Sequence, residues 1–387
     1  MVESGKASPA VEILHVIAGL KASGAETALL RLVQRSPDHI VHTVVSLTDR
    51  GDLSDAFEAA GATVRAFGLS RGAAAPIAAA RRLAELVPKT RPAVVQGWMV
   101  HGNIAAWALR LFCFPRARLA WNLRLTAADA VHEKMTTRLA TRAAAWLSRS
   151  VDLLVSNSHA GLRDHRALGY RPRRSAVIPN GFNLTAFQRR PEDRERLRNQ
   201  WELPEQAVVF ALVGRFHIQK GQAAFVAAAE QVRDVRAEAV FLLAGRDADP
   251  QNEELRVMLG ERNLASRFLL LGARRDVPAI MSAVDVLCMP SLYEGFPNVL
   301  GEAMASGLPC IATAVSDVGL ILGNAGVLID VGDTTGLANA MSKMVDLGPQ
   351  GRSDLGARAR RRIAESYSLE TVTPLYWNLY DQLAACA

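Results

Sequence analysis

No stretch of this sequence approaches the roughly 18 to 20 apolar residues that span a bilayer. The best candidate, Ile104 to Phe114, is short and interrupted by Arg110. A spanning helix is excluded, and a soluble or peripheral protein is expected. The opening MVESGKASPA has no apolar core of the kind a secretory signal needs and reads as a loose tail, so a cytoplasmic protein is expected. Cysteine is scarce. Cys113, Cys288, Cys310 and Cys386 are widely spaced and form no Cys-x-x-Cys pair, which argues against a zinc site or a disulfide framework. They read as reduced bystanders, with Cys288 and Cys310 on buried strands.

Other signatures are missing as well. No Gly-x-Gly-x-x-Gly follows the first predicted strand, which disfavours a hydride-transferring dehydrogenase. No Asp-x-Asp pair stands at a predicted strand end. Asp247-Ala248-Asp249 reads as a turn, and no metal is expected. The calculated pI near 9.5 invites a nucleic-acid partner. No aromatic-rich basic strand, helix-turn-helix or zinc-finger signature supports one, so none is expected.

What is present is a chain that can build substantial cores. Of 387 residues, 50% are apolar and 21% charged, a length that favours two domains of similar size. Short β-branched runs alternate with helical patterns: Ile13 to Ile17, Val41 to Leu47, Ala93 to Gln96, Leu119 to Asn122 and Leu153 to Asn157. The alternation restarts at Val208 to Val213 and continues through Ala239 to Ala244, Phe268 to Leu271, Val284 to Met289, Cys310 to Thr313 and Val327 to Ile329. This predicts α/β architecture with two doubly wound, Rossmann-like domains, 1–185 and 186–365. The Arg-rich stretch Gln188 to Gln200 reads as a linker. Ser366 to Ala384 carries apolar residues at helical spacing and should lay one face on something.

Charge is uneven. Residues 1–185 hold 24 Lys+Arg against 13 Asp+Glu, whereas the remainder holds 21 against 25. A basic surface with Arg81, Arg82, Lys134, Arg138, Arg142, Arg149 and Arg171 to Arg174 admits two readings: solvated helix faces, or a surface for a lipid diphosphate acceptor and anionic lipid at the inner leaflet.

The most specific signal runs from Pro290 to Pro309, PSLYEGFPNVLGEAMASGLP, after a predicted strand and into a helix opening near Pro297. A proline is tolerated there, and free amides at a helix start attract anions. Glu294 and Glu302 are too far apart for a retaining glycosidase pair, since eight helical residues rise about 12 Å against the roughly 5 Å required. The spacing suits two ends of one long ligand, Glu294 at a sugar and Glu302 at a ribose. Earlier in this half, Gly214-Arg215-Phe216-His217-Ile218-Gln219-Lys220-Gly221 ends a strand and projects two cations, Arg215 and Lys220, where a diphosphate would lie. In the amino half, Ser23-Gly24-Ala25-Glu26 follows the first strand, and His101 stands at a strand-to-helix junction where it either caps, packs or meets a ligand.

Taken together, Ser23 to Glu26, His101, Val177 to Phe182, Gly214 to Gly221 and the Glu294-x7-Glu302 block resemble the retaining GT-B glycosyltransferases of family four, from about Val11 to the last helix. The resemblance implies two Rossmann-like domains facing a central cleft, with a nucleotide-diphosphate sugar as co-substrate, no cofactor, and a last helix, 366–387, packing back on the first domain. It implies that Arg215 and Lys220 hold the diphosphate and Glu302 the ribose. Glu294, Gly295, Phe296 and Asn298 would hold the donor sugar, with His101 against that sugar and Gly24 in the loop over the phosphates. Ser23 departs from the usual glycine pair of that loop. UDP is the default nucleotide by family frequency, with a lipid-linked or saccharide acceptor in polysaccharide or glycolipid synthesis. Retention by same-face attack or through a covalent intermediate stays open, and a nucleotide-sugar epimerase is the rival enzyme.

Overall fold

The structure, a computed structural model, describes residues 10–69, 91–124 and 135–386. Arg81, Arg82 and Lys134 of the basic surface lie outside the described residues. The chain divides into two compact units. Unit 1 is Met1–Gly181 with Leu369–Ala387, and unit 2 is Phe182–Ser368. The crossings thus fall at Gly181–Phe182 and Ser368–Leu369 rather than after 185 and 365. The first does so because the Phe182 ring is buried in the core of unit 2.

Among the described residues of unit 1, strands β1 Val11–Ile17, β2 Ile40–Ser46, β3 Thr63–Ala66, β4 Val94–Trp98, β5 Arg118–Leu123, β6 Leu153–Ser156 and β7 Arg174–Val177 form one parallel sheet. Its order is β3-β2-β1-β4-β5-β6-β7. Two of these, β3 and β7, escape the pattern reading of the sequence. Both are edge strands, where Arg65 and Arg174 face solvent, and an edge strand needs less apolar sequence and is protected by charge.

Unit 2 holds β8 Val208–Val213, β9 Ala239–Ala244, β10 Phe268–Leu270, β11 Val286–Met289, β12 Cys310–Thr313 and β13 Gly326–Ile329, all parallel, in the order β10-β9-β8-β11-β12-β13. Strands covered on both faces read as unbroken apolar runs. Along β8, Val209 and Ala211 enter one core layer, and Val208, Phe210 and Leu212 the other. Cys288 and Cys310 sit buried on β11 and β12, where burial raises both thiols.

The stretch read as a linker is instead a helix, Pro191–Gln200, packed on the helix Val277–Ala283. Its arginines explain why. Arg194 and Arg198 grip buried Asp285 at 2.8 and 3.1 Å, and the same carboxylate accepts the Val209 N–H at 2.8 Å. A polar composition that looks solvated from sequence is here satisfied by one buried acid.

The helix Leu369–Ala384 begins three residues later than the periodicity suggests, because Gly348–Ser366 is a separate helix of unit 2. It buries Val372, Tyr376, Trp377, Tyr380 and Leu383 in the core of unit 1. Its tyrosines complete a polar network: Tyr380 donates to Gln96, and Asn122 donates to the Tyr376 hydroxyl at 3.0 Å. Beside them lies a directional chain. The Trp98 indole donates to His15 Nδ1 at 3.2 Å, so His15 carries its proton on Nε2 and donates to His42 Nδ1 at 2.9 Å; His42 then donates to Ser36 Oγ at 2.7 Å.

That chain requires both rings neutral. Burial first, and then the neighbouring His42, hold His15 well below its ordinary value, and burial pushes His42 down to about 4. The unfolded chain takes up protons near pH 6.5 that the folded one refuses. Stability is therefore full above that pH and falls as pH drops toward 4, by about 1.4 kcal/mol per pH unit for each ring. Urea midpoints followed by tryptophan fluorescence between pH 7.5 and 4.5 should show this slope. His42→Gln, which keeps an acceptor for His15, should roughly halve it; an unchanged slope would count against the assignment.

Candidate functional site

In unit 2 the strand order reverses between β8 and β11, and ligands of doubly wound sheets gather outside the carboxyl ends of the strands at such a point. After β8 the chain runs through Gly214 and Arg215 into a short turn, Ile218–Lys220, closed by Gly221. Gly221 has φ 70°, and a Cβ there would lie 2.0 Å from Pro290 O. Only glycine lets this loop press against the end of β11.

The two loops are then tied together. The Leu292 N–H donates to Gln219 O at 2.8 Å, and the buried Gln219 amide donates to Tyr293 O at 3.0 Å. Lys220 Nζ donates to Glu294 Oε1 at 2.6 Å, and Ser291 Oγ donates to the same oxygen at 2.7 Å. Ser291 is held in turn by Thr313, whose hydroxyl donates to Ser291 O at 2.6 Å from the end of β12. The Glu294 side chain is 5% exposed and that of Lys220 is 20% exposed, so the pair is screened less than a surface ion pair.

Beside the pair opens a hollow of about 280 Å³ lined by Val213, Gly214, Lys220, Val277, Glu294, Phe296, Asn298, Val299 and Glu302. A cation, a buried carboxylate, a helical carboxylate and a glycine-lined floor thus meet in one place. The helix carrying Glu302 is Asn298–Ala305, with Pro297 just before it. It can sit close to the core because Gly301 leaves room for the Phe182 ring, which lies 2.0 Å from where a Cβ would stand. Phe182 in turn stacks on Phe296, with centroids 6.3 Å apart. The Phe296 ring is therefore part of the core as well as of the lining of the hollow. The Asn298 amide is committed to Phe296 O at 2.9 Å.

Lys220, Glu294, Phe296, Asn298 and Glu302 are thus brought together, with Gly295 in the same loop. Arg215 is exposed and donates to Gln219 Oε1 at 3.2 Å; it does not line the hollow. Gly24 and His101 lie in unit 1, after β1 and β4, on either side of that sheet's own reversal. Gly24 opens the helix Gly24–Val33 with open space around it. His101 is exposed in the first turn of the helix Met99–Phe112. Two residues earlier, Met99 is held at φ 62°, a strain of about 1–3 kcal/mol of the kind that functional junctions retain. Gln219, Ser291 and Thr313 were not singled out from the sequence. No periodicity marks them, although two of them lie inside the motif blocks. Arg124 was missed too: it lies 5.0 Å above the Trp98 ring and donates to Asn180 Oδ1 at 2.5 Å.

Two Rossmann-like domains define the GT-B class of fold, and solved examples match over 96–97% of this chain. HepE of Anabaena, solved with UDP, matches with a TM-score of 0.81 at 21% identity, covering 96% of this chain and 100% of that one. A sucrose-phosphate synthase from Thermosynechococcus elongatus matches with a TM-score of 0.76 at 21% identity, over 97% of this chain and 100% of that one. Residues 22–186 fit the profile described as Glycosyltransferase Family 4, and residues 207–346 that described as Glycosyl transferases group 1. Residues 22–186 thus carry a family 4 glycosyltransferase domain and residues 207–346 a group 1 glycosyltransferase domain.

Among its curated relatives is the Escherichia coli UDP-Gal:alpha-D-GlcNAc-diphosphoundecaprenol alpha-1,3-galactosyltransferase, 33% identical over 179 residues, 45% of this chain and 46% of that protein. Another is the 2-deoxystreptamine glucosyltransferase of Streptomyces kanamyceticus, 29% identical over 184 residues, 46% and 47% of the two chains. The chain thus spans about half the length of these relatives.

Proposed function

We propose that this protein is a retaining glycosyltransferase that moves a sugar from a UDP-sugar to a lipid-linked or saccharide acceptor in polysaccharide or glycolipid synthesis, working at or near the inner face of the membrane. The observation that carries the reading is the Lys220–Glu294 pair at the reversal of the unit 2 sheet, with Glu302 lining the same hollow. In this reading Glu302 holds the ribose hydroxyls, Lys220 the diphosphate, and Glu294 with the Gly295 and Phe296 backbone the donor sugar. The relatives named above, whose names give GlcNAc-diphosphoundecaprenol and 2-deoxystreptamine, support the reaction type and differ in acceptor.

The barrier is departure of the nucleoside diphosphate, which must accept the electron pair of the anomeric C–O bond. Lys220 lies in a partly buried site, where a fixed cation stabilises developing phosphate charge more than it would in water. Arg215, on the exposed loop beside it, adds a second cation once it leaves Gln219, and these two take the part a metal ion plays in other transferases. Donor phosphate competes with Glu294 for Lys220, which releases the carboxylate toward the sugar. Glu294 is assigned positioning and electrostatic support.

A thermal-shift screen of UDP-, GDP- and ADP-sugars tests this first. A donor at a hundred times its dissociation constant adds about 2.7 kcal/mol of stability, and the expected order places uridine first. A rise with guanosine or adenosine alone would replace the nucleotide, and no rise with any of the three would remove the donor site.

A further inference from the structure

We propose that unit 1 docks on an anionic lipid bilayer through the helix Met135–Leu147, with the adjoining arginine hollow at Arg166–Ser175 receiving phosphate head groups. The proposal gives a surface to the membrane-proximal reading above and rests on it. Met135, Leu139 and Trp146 are 67%, 57% and 68% exposed. At 3.6 residues per turn they fall within about 40° of one another around the helix, a single apolar stripe turned away from the core. The buried residues, Ala144 and Ala145, lie about 100–160° around the helix from that stripe. Soluble surfaces seldom leave three large apolar side chains bare in a row unless something covers them.

The charge around the stripe names what that something is. Arg138 and Arg142 border it along one edge, at about 100° per residue, Arg149 follows it, and residues 135–151 contain no Asp or Glu. Just beyond the helix, the segment 166–175 also lacks acids and forms an open hollow of about 390 Å³. There Arg166 donates to Ser175 Oγ at 2.7 Å, Arg171 to the carbonyls of Arg166 and Tyr170 at 2.7 and 2.8 Å, and Arg174 to Gln382 Oε1 at 3.1 Å. These acceptors are neutral and leave the charge of the three guanidinium groups uncancelled, whereas Arg173, which lines the same hollow, is paired with Asp152 at 3.1 Å.

Hollow and helix are joined: the Arg171 N–H donates to Ser148 Oγ at 2.8 Å and the Tyr170 hydroxyl to Thr141 O at 3.4 Å. An apolar stripe with an exposed tryptophan, basic flanks and a neighbouring cationic recess is the composition of a helix lying in a membrane interface. An anionic leaflet adds to the binding for each Lys or Arg near it. A protein partner would need an acidic face matching both the stripe and the hollow, whereas an anionic bilayer offers acyl chains and phosphates together.

The test is co-sedimentation of the full chain with phosphatidylcholine vesicles, with and without phosphatidylglycerol. Binding is expected only with phosphatidylglycerol, weakening as salt rises. Trp146→Ser with Leu139→Ser should lower partition about tenfold or more, through lost apolar burial. Arg171→Glu with Arg174→Glu should do the same, since each reversed cation alters binding by at least about fivefold, while Arg171→Lys with Arg174→Lys retains most of it. All variants should keep the wild-type thermal midpoint and its shift with UDP. Equal binding to neutral vesicles, or none to either, overturns the proposal. So does a wild-type dimer that the Trp146 and Leu139 changes dissociate with vesicle binding intact, which would make the stripe a self-association face. Vesicle binding without any nucleotide shift would instead count against the function proposed above and leave this surface standing.

Discussion

Lys220→Ala lowers sugar transfer by two or more orders of magnitude while the chain still folds. The magnitude follows from its place: it is the cation that lines the hollow, and loss of one preorganised donor to a developing oxyanion typically costs about 3–4 kcal/mol in the transition state. The same change leaves Glu294, 5% exposed, with Ser291 as its remaining donor. A partly unsatisfied buried carboxylate should lower stability by about 1–3 kcal/mol. Glu294→Gln separates the two effects. Its carboxamide oxygen still accepts from Ser291 and Lys220, so stability should change less while transfer falls by a similar factor. The check is single-turnover transfer beside a urea midpoint for each variant; near-normal turnover in either would end the site assignment.

The second large effect belongs to backbone. Gly221→Ala forces a side chain into φ 70° and sets its Cβ 2.0 Å from Pro290 O, which, being a main-chain atom, has little freedom to move aside. The conformation costs about 1–3 kcal/mol, and relieving the overlap adds about 1–3 kcal/mol. The loops must part to relieve it, so the Lys220–Glu294 contact opens and UDP affinity falls with stability. Gly214→Ala is the control. Its Cβ would meet Lys220 carbons at 3.5 Å, an ordinary contact, and the fold should survive. A wild-type urea midpoint in Gly221→Ala would show that the loops are not locked in the way described.

The contrast between these two glycines indicates what the sequence disclosed. Strand–helix alternation identified the doubly wound layers because buried parallel strands must be apolar throughout, as along β8 and β11. The blocks around Lys220 and Glu294 were readable because turn glycines, charges and a helix-opening proline cluster in few residues. Edge strands β3 and β7 were not readable, since exposure removes the apolar signal. Nor was the Pro191–Gln200 helix, whose arginines look solvated until Asp285 is placed beneath them. The roles of Gln219 and Thr313 arise only when loops distant in sequence meet. A hydrogen bond across 74 residues, as from Gln219 to Tyr293, leaves no local trace.

One feature of the chain path governs how the protein comes into being. Because Leu369–Ala384 completes the core of unit 1, that unit is interrupted in sequence by the whole of unit 2. During synthesis unit 2 has all its parts while Gln96, Asn122 and the apolar surface near β1 and β4 still await Tyr376 and Tyr380. Unit 1 therefore cannot complete its core until the last helix has been made, whereas unit 2 has all its parts earlier, and the expected order of completion is unit 2 first.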